Sequence, residues 1–134
     1  LVKRKSKNKR QHTEPLNLDF AVAHTEEWHI PGNYGRKYAR VSGDINPIHT
    51  IPLFAKMMGF KTSILHGWYS VSRLVKRAEE LNGIIYRDIE VSFKAPVYLP
   101  STQVLSLGDA SNGQVPFMLK DAKTGALALA GLLS

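Results

Sequence analysis

Residues 67–81 read Gly-Trp-Tyr-Ser-Val-Ser-Arg-Leu-Val-Lys-Arg-Ala-Glu-Glu-Leu, and this stretch decides the fold. Trp68, Val71, Leu74, Val75, Ala78 and Leu81 follow the three-and-four spacing of one apolar stripe on an α-helix. Arg73, Lys76, Arg77, Glu79 and Glu80 fall mostly off that stripe, and Asn82-Gly83 supplies a stop. A lone amphipathic helix of this length needs a second surface to cover its stripe.

The sequence downstream provides that surface. Ile85, Ile89, Val91 and Phe93 point one way while Asp88, Glu90, Ser92 and Lys94 point the other, which predicts a strand. Pro96 and Pro100 imply a bend or an edge near its end. A second strand is predicted over Thr102 to Leu107, and Ser111-Asn112-Gly113 signals a hairpin turn. Val115, Phe117 and Leu119 share one face of a third strand. After the turn at Lys123-Thr124-Gly125, the apolar run Ala126 to Leu133 suits a strand buried on both faces. One long helix followed by four antiparallel strands gives an α+β class, with a curved sheet wrapped round the helix.

Upstream, Phe20, Val22 and His24 alternate with alanines, a weak strand signal, before a turn at Pro31-Gly32-Asn33. Tyr34, Lys37, Tyr38 and Val41 recur at helical spacing, and Gly43 closes that helix. Asp44 to His49 reads as loop because Pro47 pushes Asn46 out of the helical region. A second short helix is predicted over Pro52 to Met58, with Gly59 just after it.

Two clusters in this half carry chemistry. Asp44 and His49, held on a turn stiffened by Gly43 and Asn46-Pro47, can aim a carboxylate and an imidazole at one water, as general acid–base work requires. On spacing alone the alternative stays open that Asp44 caps a turn and His49 is an ordinary polar residue. Ile64-Leu65-His66-Gly67 opens the long helix, where unpaired N–H groups and the positive dipole end suit an oxyanion or a thioester carbonyl. There the competing readings are close helix packing for Gly67 and a core, backbone-bonded imidazole for His66. The five His have no metal-ligand spacing, so no metal is expected. Neither a Gly-x-Ser-x-Gly elbow nor a phosphate-cradling glycine loop is present.

The 134 residues suit one domain; 43% are hydrophobic and 22% charged, the composition of a globular chain. The formal charge is +7, from 18 basic and 11 acidic residues, but six cations and no acid fall within residues 1–10. The rest is therefore close to neutral, and residues 1–17 are expected to be a basic linker or tail ahead of one domain over 18–134. That leader has no aromatic residue to stack a base, so no nucleic-acid partner is expected; leader-driven binding would be steeply salt-dependent. The longest apolar run has eight residues, far from the roughly 20 of a membrane span. Zero cysteines and no visible secretory signal fit a reducing, cytoplasmic setting.

Tyr38-x-x-x-Ser42-Gly43-Asp44-x-Asn46-Pro47-Ile48-His49, followed by Ala55, Gly59-Phe60 and His66-Gly67, resembles the hydratase-2 motif of MaoC-like dehydratases. Val91-Ser92-Phe93-Lys94-Ala95-Pro96-Val97-Tyr98-Leu99-Pro100 is similar to the strand after the central helix in that family. The resemblance implies a hot-dog fold, residues 67–81 forming the sausage and residues 50–65 overhanging an acyl tunnel. It makes Asp44 and His49 the catalytic pair, Asn46 a loop-ordering residue at the substrate site, and His66 and Gly67 substrate-binding, with the Gly67 N–H on the thioester carbonyl. Ser72 stays outside this set. The implied reaction interconverts trans-2-enoyl-CoA and (R)-3-hydroxyacyl-CoA by addition or loss of water, without a cofactor. The alternatives are the same chemistry on acyl carrier protein and a non-catalytic acyl-thioester-binding unit. Arg36, Lys37, Arg40, Lys61, Arg73, Lys76 and Arg77 could meet CoA or an acidic carrier. Family pairing implies a homodimer or association with a second hot-dog unit. A first residue other than Met suggests the catalytic half of a longer chain with two such units.

Overall fold

The computed structural model describes residues 19–110 and 112–134. The expected basic leader, residues 1–17, lies outside the described residues, as does Ser111 of the hairpin turn. The chain runs β1 (Val22–Ile30), α1 (Tyr34–Ser42), a 3-10 turn (Pro47–His49), α2 (Pro52–Met57), α3 (Gly67–Asn82), β2 (Ile89–Phe93), β3 (Ser101–Gly108), β4 (Val115–Asp121) and β5 (Leu127–Leu133). The five strands form one antiparallel sheet in the order β1-β3-β4-β5-β2. The α+β expectation holds, with β1 as a fifth strand and one edge of the sheet.

The sheet covers α3 as the stripe demanded. Val71, Leu74, Val75 and Ala78 are buried in one cluster with Trp28 and Ile30 of β1, Leu105 and Leu107 of β3, Phe117 and Leu119 of β4, and Leu129 of β5. The stripe is rotated from its predicted centre. Trp68 is 42% exposed and Leu81 41%, whereas Ser70 is fully buried. At 3.6 residues per turn Trp68 points about a quarter-turn away from the middle of the buried residues, and Leu81 lies in the last turn. Trp68 instead meets the edge of Phe93, their ring centres 6.0 Å apart.

Two further expectations change. Ile85 precedes β2 and is 75% exposed. Phe93 shares the predicted apolar face but is half exposed, because β2 is the sheet's other edge and lacks a neighbour on one side. The all-apolar β5 lies inside the sheet between β4 and β2 with no exposed residue, in keeping with its composition. The proline-flanked stretch after β2 does bend. It pairs back on the segment entering α3, through Leu65 N–H to the Val97 carbonyl (2.8 Å) and Leu99 N–H to the Ser63 carbonyl (3.0 Å). That pairing fixes the approach to His66 and Gly67.

Candidate active site

Local rules build the loop carrying Asp44. Helix α1 ends on Gly43 at φ +76°, a left-handed conformation that favours glycine, and the Gly43 N–H bonds back to Ala39 (3.0 Å). Ser42 Oγ donates to the Tyr38 carbonyl (2.8 Å) and accepts from the Asp44 N–H (3.2 Å). Asp44 Oδ1 accepts from the Asn46 N–H (3.3 Å), and Asn46 Oδ1 accepts from the Ile48 N–H (3.2 Å). Each short polar side chain thus closes a turn on the backbone two residues ahead. Asn46 orders the loop, capping the 3-10 turn that delivers His49.

Fold and loop bring Asp44, His49 and His66 together. Asp44 Oδ2 lies 3.8 Å from His49 Nε2 and 3.9 Å from His66 Nε2, with the carboxylate about half exposed and both imidazoles buried. His49 Nδ1 is 2.8 Å from the Ile64 carbonyl. A carbonyl oxygen can only accept, so Nδ1 carries the proton and the neutral ring has a free lone pair at Nε2, facing Asp44. Burial pushes the His49 pKa below the usual 6.5 and the neighbouring His66 adds to this; the Ile64 carbonyl and Asp44 oppose them. At neutral pH His49 is therefore an unprotonated base.

His66 stacks on His49, ring centres 3.6 Å apart and planes 22° from parallel, and Tyr38 meets its ring edge-on at 4.8 Å. Its Nε2 donates to the Asp44 backbone carbonyl (2.9 Å). The three side chains each offer a ligand atom within 4.8 Å of the others, a gathering that spacing along the chain conceals. His66 Nε2 carries its proton toward the Asp44 carbonyl, which leaves the His49 Nε2 lone pair and the Asp44 carboxylate as the acceptors facing each other. The arrangement suits a water held between Asp44 and His49 better than a cation.

Gly67 begins α3, and its N–H has no intrahelical acceptor. A Cβ here would come within 2.7 Å of Phe93 Cε1, so the Phe93 ring is itself a packing reason for glycine. Gly35 was not singled out in the sequence, yet a Cβ on it would run into the His49 carbonyl oxygen. Ser72 is exposed on α3, away from the buried cluster. Three of the candidate cations are engaged within the fold, Lys37 lying over the Tyr34 ring at 5.5 Å from its centre. Arg77 bonds Glu26 at 3.0 Å and Arg73 lies over Trp28, 4.4 Å from the ring centre.

Residues 7–126 match the family model described as MaoC like domain. The chain is 40% identical over 78 residues to 3-hydroxyacyl-thioester dehydratase X of Mycobacterium tuberculosis, a match covering 58% of this chain and 28% of the relative. It is also 40% identical over 92 residues to the peroxisomal hydratase-dehydrogenase-epimerase of Neurospora crassa, covering 69% of this chain and 10% of that protein. The chain thus spans between a tenth and under a third of these relatives. The crystal structure of a MaoC-like dehydratase from Phytophthora capsici superposes with a TM-score of 0.76 at 26% identity, over 86% of this chain and 40% of that one. The match takes in the whole Asp44–His49 loop and the helix behind it, and on that ground the chain belongs to the MaoC-like domain family and has its hot-dog fold.

Proposed function

We propose that this domain is a hydratase/dehydratase that interconverts trans-2-enoyl-CoA and (R)-3-hydroxyacyl-CoA. The observation that carries the reading is the 3.8 Å gap between His49 Nε2 and Asp44 Oδ2. A water about 2.8 Å from each atom spans it with ordinary hydrogen bonds. In the hydration direction His49 Nε2 takes a proton from that water while the Asp44 carboxylate orients it. The oxygen bonds C3, and the C2=C3 electron pair shifts toward C2 and the thioester carbonyl. The Gly67 N–H meets the charge growing on that carbonyl oxygen, where a donor matters most in the transition state. The Asp44–His49 pair returns the proton to C2. The step needs no cofactor, and Asn46 serves it by holding the loop. The names and likeness of the relatives support the reaction class.

The test follows loss of the conjugated enoyl-thioester absorbance with short, medium and long acyl-CoAs. Asp44→Asn and His49→Gln should each fall at least about 100-fold, the lower range for general acid–base groups. Full activity in either variant overturns the mechanism. Turnover only of carrier-protein thioesters moves the substrate to that class, and binding without turnover makes the domain a thioester-binding unit. The same reading includes pairing with a second hot-dog unit and a cytoplasmic, cysteine-free setting. Among the described residues no helix is long and apolar enough to cross a membrane.

A further inference from the structure

We propose that His66 is a positioning residue for the Asp44–His49 pair: its Nε2–H holds the Asp44 backbone carbonyl, and its ring braces the His49 imidazole. The inference rests on the catalytic reading above and departs from the sequence-based expectation that His66 binds substrate. His66 is the N-cap of α3, yet its side chain makes no capping bond to its own helix. It reaches across 22 positions of chain to Asp44 instead. The acceptor is a backbone carbonyl, so the proton sits on Nε2 and Nδ1 is bare, the opposite tautomer to His49. With 3% exposure and no hydrogen-bond partner at Nδ1, the ring has little contact with solvent. Its surroundings explain why it stays in place: His49 lies flat on it, and Tyr38 abuts it edge-on.

The Asp44 carboxylate is half exposed, and its end of the loop is otherwise held by short-range turns, whereas the far end is tied to Ile64 through the Ile48 carbonyl and His49 Nδ1. The His66 bond ties the backbone of that loop to the start of α3, where Gly67 would receive the thioester. Proton acceptor, carboxylate and carbonyl site are thereby kept in one register. Misplacing such groups by about 1 Å can cost on the order of 100-fold in rate.

The first test uses the unmodified protein. Long-range ¹H–¹⁵N spectra of the imidazoles near neutral pH should show His66 protonated at Nε2 and His49 at Nδ1. Finding His66 protonated at Nδ1 instead overturns the proposal. The second compares His66→Phe, which keeps a ring without the donor, with His66→Gln, whose amide N–H can occupy the place of Nε2–H. Phe should lower kcat about 100-fold with KM within about threefold, and Gln should recover at least a tenth of wild-type kcat. A raised KM with unchanged kcat returns His66 to substrate binding. Gln as inactive as Phe makes it a proton carrier in its own right, and either result overturns the proposal. Should the Phe variant fail to fold, the tautomer and the Gln variant decide. An unmodified protein that turns over no thioester defeats the catalytic reading alone, because the tautomer test does not depend on it.

Discussion

At the scale of single residues, the site depends on positions with no chemistry of their own. A methyl at position 35 would press on the His49 carbonyl from inside α1, and this obstacle is backbone, which cannot swing aside as the neighbouring Leu99 side chain could. Gly35→Ala should lower activity at least about tenfold and destabilise the fold by about 1–3 kcal/mol, the usual range for overpacking. Enoyl-thioester kinetics and thermal melts would check it; wild-type values in both would show that the His49 backbone moves freely. The pH response of His49 follows from its burial. Its folded pKa lies below the unfolded value, so the unfolded chain binds more protons between the two. The stability His49 contributes is therefore fully held above pH 6.5 and is lost as the pH falls toward the folded pKa. The acid limb of kcat/KM should likewise lie below pH 6.5, and a midpoint above that value would contradict a depressed His49. The Asp44–His49 pairing could be read from the chain because both residues sit in one rigid turn with a recognisable motif. Gly35 could not be, because its contact is with a backbone atom 14 positions away and glycine in a helix carries no label for its neighbour.

At the scale of elements, helix α3 was legible and its rotation was not. Spacing reports which residues could share a stripe but leaves the exact facing to the surface that covers them. Trp68 looked like an anchor because it is large and apolar; the sheet buries Ser70 and Val71 instead. The structure therefore ranks two substitutions. Leu74, fully buried, should cost about 2–5 kcal/mol on truncation to alanine, while Trp68→Ala should lose less than half as much. Chemical denaturation of both variants checks this, and equal losses would place the stripe where spacing alone put it. Strand β2 offers the same lesson. Its alternation was visible, but only the strand order shows that it lies at an edge, leaving Phe93 half exposed beside Gly67.

At the scale of the whole molecule, the charge of +7 says little about the site, since most of the excess lies ahead of the described body. More telling is where apolar side chains remain in water. Val41 is 86% exposed, Ile45 77%, Leu53 69% and Met57 76%, and all four come from the segment that surrounds the Asp44–His49 loop. Scattered exposed apolar residues are ordinary, but a concentration beside a site marks a surface that is covered in use. The second hot-dog unit of the proposed function would cover it. The stretch of chain between α1 and α3, which carries Ile45, Leu53 and Met57, would then serve assembly as well as the acyl chain. Sedimentation equilibrium of the isolated chain at tens of micromolar should give twice the chain mass, and Leu53→Glu combined with Met57→Lys should return it to a monomer. Circular dichroism on the double variant separates lost pairing from lost folding, because both positions are exposed and neither contributes to the core. A monomer in the unmodified chain would mean that these side chains await a unit of different sequence, and a dimer indifferent to both charges would place the interface on the sheet edges β1 or β2.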